Sequence, residues 1–139
     1  VGALADPHSR PTLFIDRCAW SAALGRALEA AQVPFVAHRQ RFAHDATDEQ
    51  WLAGVAGTGW LVVTRDRRIR YKVNELQAAI EARLHLFVFT QGGLTGVQTG
   101  DLLVRAYPAI TVAAGLRAPP VIWSIRADGT VAPLASRPT

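Results

Sequence analysis

Three carboxylates carry the chemistry that this chain could perform: Asp16, Asp48 and Asp66. Asp16 closes the run Thr12-Leu13-Phe14-Ile15-Asp16, and Asp66 stands two residues past Trp60-Leu61-Val62-Val63-Thr64. Asp48 opens Asp48-Glu49-Gln50-Trp51-Leu52 and falls in the first turn of a predicted helix. Acids that converge on one crevice repel each other unless a cation lies between them. The cation suited to carboxylates and water is Mg²⁺ or Mn²⁺. Such an ion can activate water and stabilise a leaving oxygen in phosphodiester cleavage. Arg65, Arg67 and Arg68 surround Asp66, and guanidinium groups of this kind would hold a polyanion.

Each acid also has a structural reading. Asp16 could cap the helix that follows it, and Asp48 and Glu49 could complement a helix dipole. Asp66 could be a salt-bridged turn residue. The case for a site rests on coincidence: two acids at strand ends predicted to be neighbours, and a third on the intervening helix.

The elements that must bring these acids together are legible. Predicted strands cover 12–16, 35–38, 60–64, 84–90, 121–126 and 130–134. Between them, helical spacing of apolar residues marks 19–32, with Trp20, Ala23, Leu24, Ala27, Leu28 and Ala31 on one face. A second helix starts at Thr47 with Gln50 in capping-box register, buries Trp51, Leu52 and Val55, and stops at Gly57-Thr58-Gly59. A third covers 75–83 with Asn74 as its cap and Leu76, Ala79 and Ile80 inward. A fourth covers 97–114, with Pro108 as a candidate kink. Asp128-Gly129 signals a closing hairpin. The alternation predicts an α/β fold of three αβα layers: a small, mostly parallel sheet of order 2-1-3-4, right-handed crossovers, and a C-terminal β-hairpin. One domain spans 1–139, with a core over about 12–134 and loose termini at 1–11 and 135–139.

Composition narrows the class. Half of the 139 residues are apolar and 19% are charged, which suits a folded globular chain, and the net charge of +4 rests on arginine, since Lys72 is the single lysine. A nucleic-acid partner fits that balance. The lone Cys18 rules out a disulfide framework or a cysteine zinc ribbon and fits a reducing cytoplasm. No apolar run is long enough to span a bilayer, and no signal segment opens the chain, so a membrane is not expected. Other candidates are weaker. Cys18 reads as a buried thiol, His38 and His44 beside Asp45 as loop histidines, and Gly92-Gly93 as a turn. No Walker lysine or G-x-G-x-x-G follows the first strand.

The strand ending in Asp16, the Asp48-Glu49-Gln50-Trp51 helix start and the Thr64-Arg65-Asp66-Arg67-Arg68-Ile69-Arg70-Tyr71 stretch together resemble a PIN-like domain. They are similar to a compact branch associated with VapC-type toxins, and the resemblance spans about residues 12–126. It implies a Mg²⁺- or Mn²⁺-dependent ribonuclease, the toxin of a type II toxin–antitoxin pair. Asp16, Asp48 and Asp66 match the metal-binding acids, with Glu49 as the alternative to Asp48, and Thr64 would support them through its hydroxyl. Arg65, Arg67, Arg68, Arg70 and Lys72 would hold the RNA backbone. A fourth acid, frequent after the third in larger relatives, is replaced here by Arg67-Arg68-Ile69-Arg70, which favours one tightly held metal over two. RNA and a cognate antitoxin are the implied partners. An exposed Trp or Leu on the helices could form a homodimer face. The alternatives are a non-catalytic PIN-like module that binds RNA or protein, and a nuclease directed at DNA.

Overall fold

A computed structural model of the chain describes residues 10–69 and 72–134. Six strands form one sheet in the order β2-β1-β3-β4-β5-β6. They are β1 (Leu13–Ile15), β2 (Phe35–Ala37), β3 (Leu61–Thr64), β4 (His85–Phe89), β5 (Val121–Ile125) and β6 (Val131–Pro133). All neighbours run parallel except the β5–β6 hairpin. The helices are α1 (Ala22–Ala30), α2 (Asp48–Val55), α3 (Val73–Glu81) and α4 (Gly96–Leu116), with a 3₁₀ turn at His38–Gln40.

Strand alternation sorts the core into two layers. Leu13, Ile15, Leu61, Val63, Phe87, Phe89, Trp123 and Ile125 face α1 and α4. Phe14, Val62, Leu86 and Val88 face α2 and α3, where Trp51, Leu52, Val55 and Ala79 cover them. The three-layer architecture follows because a sheet buried on both faces needs apolar residues at odd and even positions alike. The α1–α4 contact is close at Gly100, where a Cβ would stand 3.1 Å from the Leu24 Cα. Among the described residues no helix is long and apolar enough to cross a membrane.

Several local expectations are corrected. The cap of α1 is Ser21, whose Oγ accepts from Leu24 N–H at 3.0 Å, so Asp16 is free of that role. α3 begins at Val73 with Lys72 at the cap position, ahead of Asn74, and the Lys72 side chain makes no cap bond. Ile80 is exposed, because the buried row of α3 runs through Ala79 with Ala78 and Ala82 beside it. α4 continues through Pro108 without a break, started by a Thr95–Gln98 capping box. The crossovers are not all of one hand. The connections through α3 (β3 to β4) and α4 (β4 to β5) step the same way across the sheet yet lie on opposite faces. They are therefore of opposite hand, so one of the two departs from a strong general preference.

Candidate active site

The sheet positions two of the three acids by register. Ile15 is paired with Val63, and Asp16 N–H donates to the Val63 carbonyl at 3.0 Å. Asp16 therefore lies beside Thr64. Because side chains alternate, Asp16 follows Phe14 and Thr64 follows Val62 onto the face that carries α2. The first residue of α2 is Asp48. One face of two strand tips and one helix start thus meet.

A fully buried hydroxyl joins the tips. Thr64 Oγ1 donates to Asp16 Oδ2 at 2.8 Å and accepts from Asp66 N–H at 3.1 Å. Asp16 Oδ1 accepts from Arg17 N–H at 2.7 Å. Asp48 Oδ1 accepts from the indole N–H of buried Trp51 at 2.9 Å, so that tryptophan fixes an acid as well as filling the core. Asp66 Oδ1 accepts from Arg68 N–H at 3.1 Å, and its Oδ2 stands 2.5 Å from Lys72 Nζ. That bond to Asp66 raises the Lys72 pKa above the usual lysine value and keeps the ammonium charged.

Asp16, Asp48 and Asp66 line one open crevice of about 550 Å³, together with Arg17, Cys18, His44, Arg65, Arg68 and Lys72. Glu49 lies elsewhere, in a groove between α2 and α3 with Asn74, Gln77 and Glu81. The Arg67 guanidinium lies against Gly92, where a Cβ would be 3.4 Å from its Nη2. Arg70 lies outside the described residues.

The crevice also contains groups to which sequence reasoning gave little or no place in the site. Arg17 reaches across it and donates through Nη1 to the His44 carbonyl; its position directly after Asp16 was the available signal. Cys18 is an exposed residue of the crevice wall, not the buried core thiol expected. Its Sγ stands 3.3 Å from both Asp16 Oδ2 and Thr64 Oγ1. Although the residue is exposed, its Sγ is partly enclosed by Asp16 and Thr64, and this partial desolvation and then the Asp16 charge push the thiol pKa up, which disfavours a nucleophilic thiolate. His38 is no loop residue: it is buried against Phe14, Phe42 and Trp51, and neither ring nitrogen has a partner among the described residues. Burial, and then Arg17, lower its pKa.

The donor set fits a hard divalent cation in kind, since three carboxylates with free lone pairs face one crevice. Asp16, Asp48 and Asp66 are the residues that would hold it. Among the described residues, however, no three His, Cys, Asp or Glu side chains are gathered closely enough to hold an ion as they stand. Asp66 is turned toward Lys72 instead.

The PIN-like domain family profile matches residues 11–91. That stretch runs from Pro11, ahead of β1, to Gln91, past β4, and includes the three acids, Thr64 and Lys72. No curated protein and no solved structure matches the chain.

Proposed function

Because the chain belongs to the PIN-like domain family, whose members are in general nucleases using divalent metals, we propose that its crevice is the active site of an endoribonuclease dependent on Mg²⁺ or Mn²⁺. The observation that carries this reading is the Thr64 hydroxyl, which ties Asp16 and Asp66 together in the crevice that Asp48 also lines. A divalent cation there would supply Lewis acidity and a water of lowered pKa. Thr64 orients the Asp16 carboxylate, and Trp51 orients that of Asp48. Arg17, Arg65 and Arg68 on the wall meet the RNA phosphates, so affinity falls as salt rises. In the sequence, Arg67 and Arg70 add two further cations to this stretch.

We place the protein as the cytoplasmic toxin of a type II toxin–antitoxin pair, partnered by an antitoxin protein. The support for that role is the resemblance of the Asp66-Arg67-Arg68-Ile69-Arg70-Tyr71 stretch to VapC-type toxins. A homodimer remains a further proposal on partners, and gel filtration with light scattering tests it.

The test is cleavage of structured RNA with Mn²⁺ by the wild type and by Asp66→Asn. Loss of one charged ligand lowers the rate about 100-fold, on the order of other first-rank electrostatic groups. Undiminished cleavage by the variant would remove the site assignment. Single-stranded DNA digested in parallel separates RNA from DNA as the substrate. The second reading, a non-catalytic RNA- or protein-binding module, draws on the Asp66–Lys72 pair, which already neutralises one acid. Absence of any thermal stabilisation by millimolar Mg²⁺ or Mn²⁺ would favour it.

A further inference from the structure

Lys72 is the single lysine of a chain that otherwise uses arginine for positive charge. Its Nζ stands 2.5 Å from Asp66 Oδ2, and this is the only ion pair among the described residues. The other two acids are engaged by neutral donors: Asp16 by Arg17 N–H and the Thr64 hydroxyl, Asp48 by the Trp51 indole. Only Asp66 has its charge met by an ammonium. We propose that Lys72 is a resident counter-cation for the metal site: it holds Asp66 while no divalent ion is bound, and an incoming ion must displace it. This rests on reading the crevice as a metal site.

Four features suit a cation meant to be exchanged. The pair is partly exposed, 36% for the Lys72 side chain and 21% for that of Asp66. Ion pairs of that exposure are weak and readily broken, whereas a deeply buried pair would resist. Lysine offers a compact charge on a flexible stem and lacks the bidentate grip that arginine would exert on a carboxylate. Lys72 stands at the cap position of α3 but its side chain makes no cap bond, so swinging away takes nothing from the helix. Finally, the three acids share a crevice without forming a ligand set, as expected if one of them is turned aside by an internal competitor.

Lys72 lines the same crevice as Arg65 and Arg68, so a displaced ammonium leaves its charge uncompensated beside theirs. Metal binding then adds positive charge where a phosphodiester must approach, and so couples the cation to the polyanion.

Calorimetric titration with Mn²⁺, without RNA, at low salt and pH 7.5, tests the proposal on wild type, Lys72→Met and Lys72→Arg. Removing the competing charge tightens Mn²⁺ binding about three- to ten-fold in Lys72→Met, the range set by a weak exposed pair plus like-charge repulsion. Lys72→Arg keeps the charge and binds no more tightly than the wild type. Equal affinity in wild type and Lys72→Met overturns the proposal and leaves the metal site standing. Weaker binding in Lys72→Met overturns it in favour of a supporting role. No binding by either protein removes the proposal and the metal reading together. A second measurement needs no variant: with one lysine in the chain, acetic anhydride labelling of Lys72 is followed by mass spectrometry of its peptide. Mn²⁺ raises the labelling rate severalfold if the ammonium is released, and an unchanged or lower rate overturns the proposal.

Discussion

The β1–β3 and β4–β5 strand tips lie on the same edge of one sheet, yet they end in different ways. At β1–β3 the connections are made by side chains: a buried hydroxyl, two carboxylates and a thiol, open to a crevice lined by four cationic groups, Arg17, Arg65, Arg68 and Lys72. At β4–β5 they are made largely by backbone. Thr90 N–H reaches the Ile125 carbonyl at 3.4 Å, and Arg126 N–H reaches the Thr130 carbonyl at 2.9 Å inside the hairpin. Phe89 and Ile125 are buried up to that edge. The difference follows from where the chain goes next. From β1 it leaves through α1 onto one face, and from β3 through α3 onto the other, so the two connections part and leave a cleft. From β5 it turns straight back into β6 and closes the edge.

Substitutions can sharpen this contrast, and the largest effect is expected in the closed half. Phe89→Ala costs about 3–5 kcal/mol of stability by emptying a packed site. Cleavage per folded molecule stays as it was. Urea unfolding and RNA digestion measure the two separately, and a variant that keeps its stability but loses activity would break the comparison. In the open half, Thr64→Val preserves shape but leaves Asp66 N–H and Asp16 Oδ2 without their shared hydroxyl. That costs about 1–3 kcal/mol, and the RNA-cleavage rate falls about tenfold because Asp16 is no longer oriented. Unchanged cleavage by Thr64→Val would reduce the hydroxyl to a structural role.

The smallest effect separates two buried histidines. His85, in the closed half, has its Nδ1 satisfied by the Trp123 indole at 3.0 Å, whereas His38, behind the crevice, has no partner among the described residues. Burial lowers both imidazole pKa values. The unfolded chain is then the stronger proton acceptor, so stability is full at neutral pH and falls as pH drops through about 6.5 toward the lower folded values. His38→Phe removes two orphaned nitrogens from an aromatic cage. It leaves stability at pH 7.5 equal or higher by up to about 1 kcal/mol, and melting temperatures recorded between pH 7.5 and 5.5 decline less steeply than in the wild type. The slope that remains belongs in part to His85. An identical slope in both proteins would show that His38 does not titrate in that range.

The fold was largely legible because its signals are local. Buried strands are short runs such as Leu61-Val62-Val63, helix starts announce themselves at Thr47 with Gln50, and the order of elements constrains the sheet. What escaped were choices between neighbours. Ser21, not Asp16, caps α1, because the chain first makes a turn in which Ala19 and Trp20 N–H donate to the Asp16 carbonyl. His38 looks like a loop residue until Phe14, Phe42 and Trp51 are seen to enclose it. The hand of a crossover has no local signature at all.

The same division runs through the candidate site. The sequence alone determined which residues carry charge at the strand ends, Asp16 and Asp66, and that a helix start carries Asp48 and Glu49, because those follow from periodicity and chain order. Only the tertiary structure decided that Asp48 lines the crevice and Glu49 a different groove, since one residue along a helix turns a side chain by roughly 100°. It alone decided that the cations about Asp66 divide among different tasks: Lys72 pairs with the carboxylate, Arg65 and Arg68 line the wall, and Arg67 lies against Gly92. Charge can be read from a string of residues, but which charge meets which depends on the direction of each side chain in the folded chain.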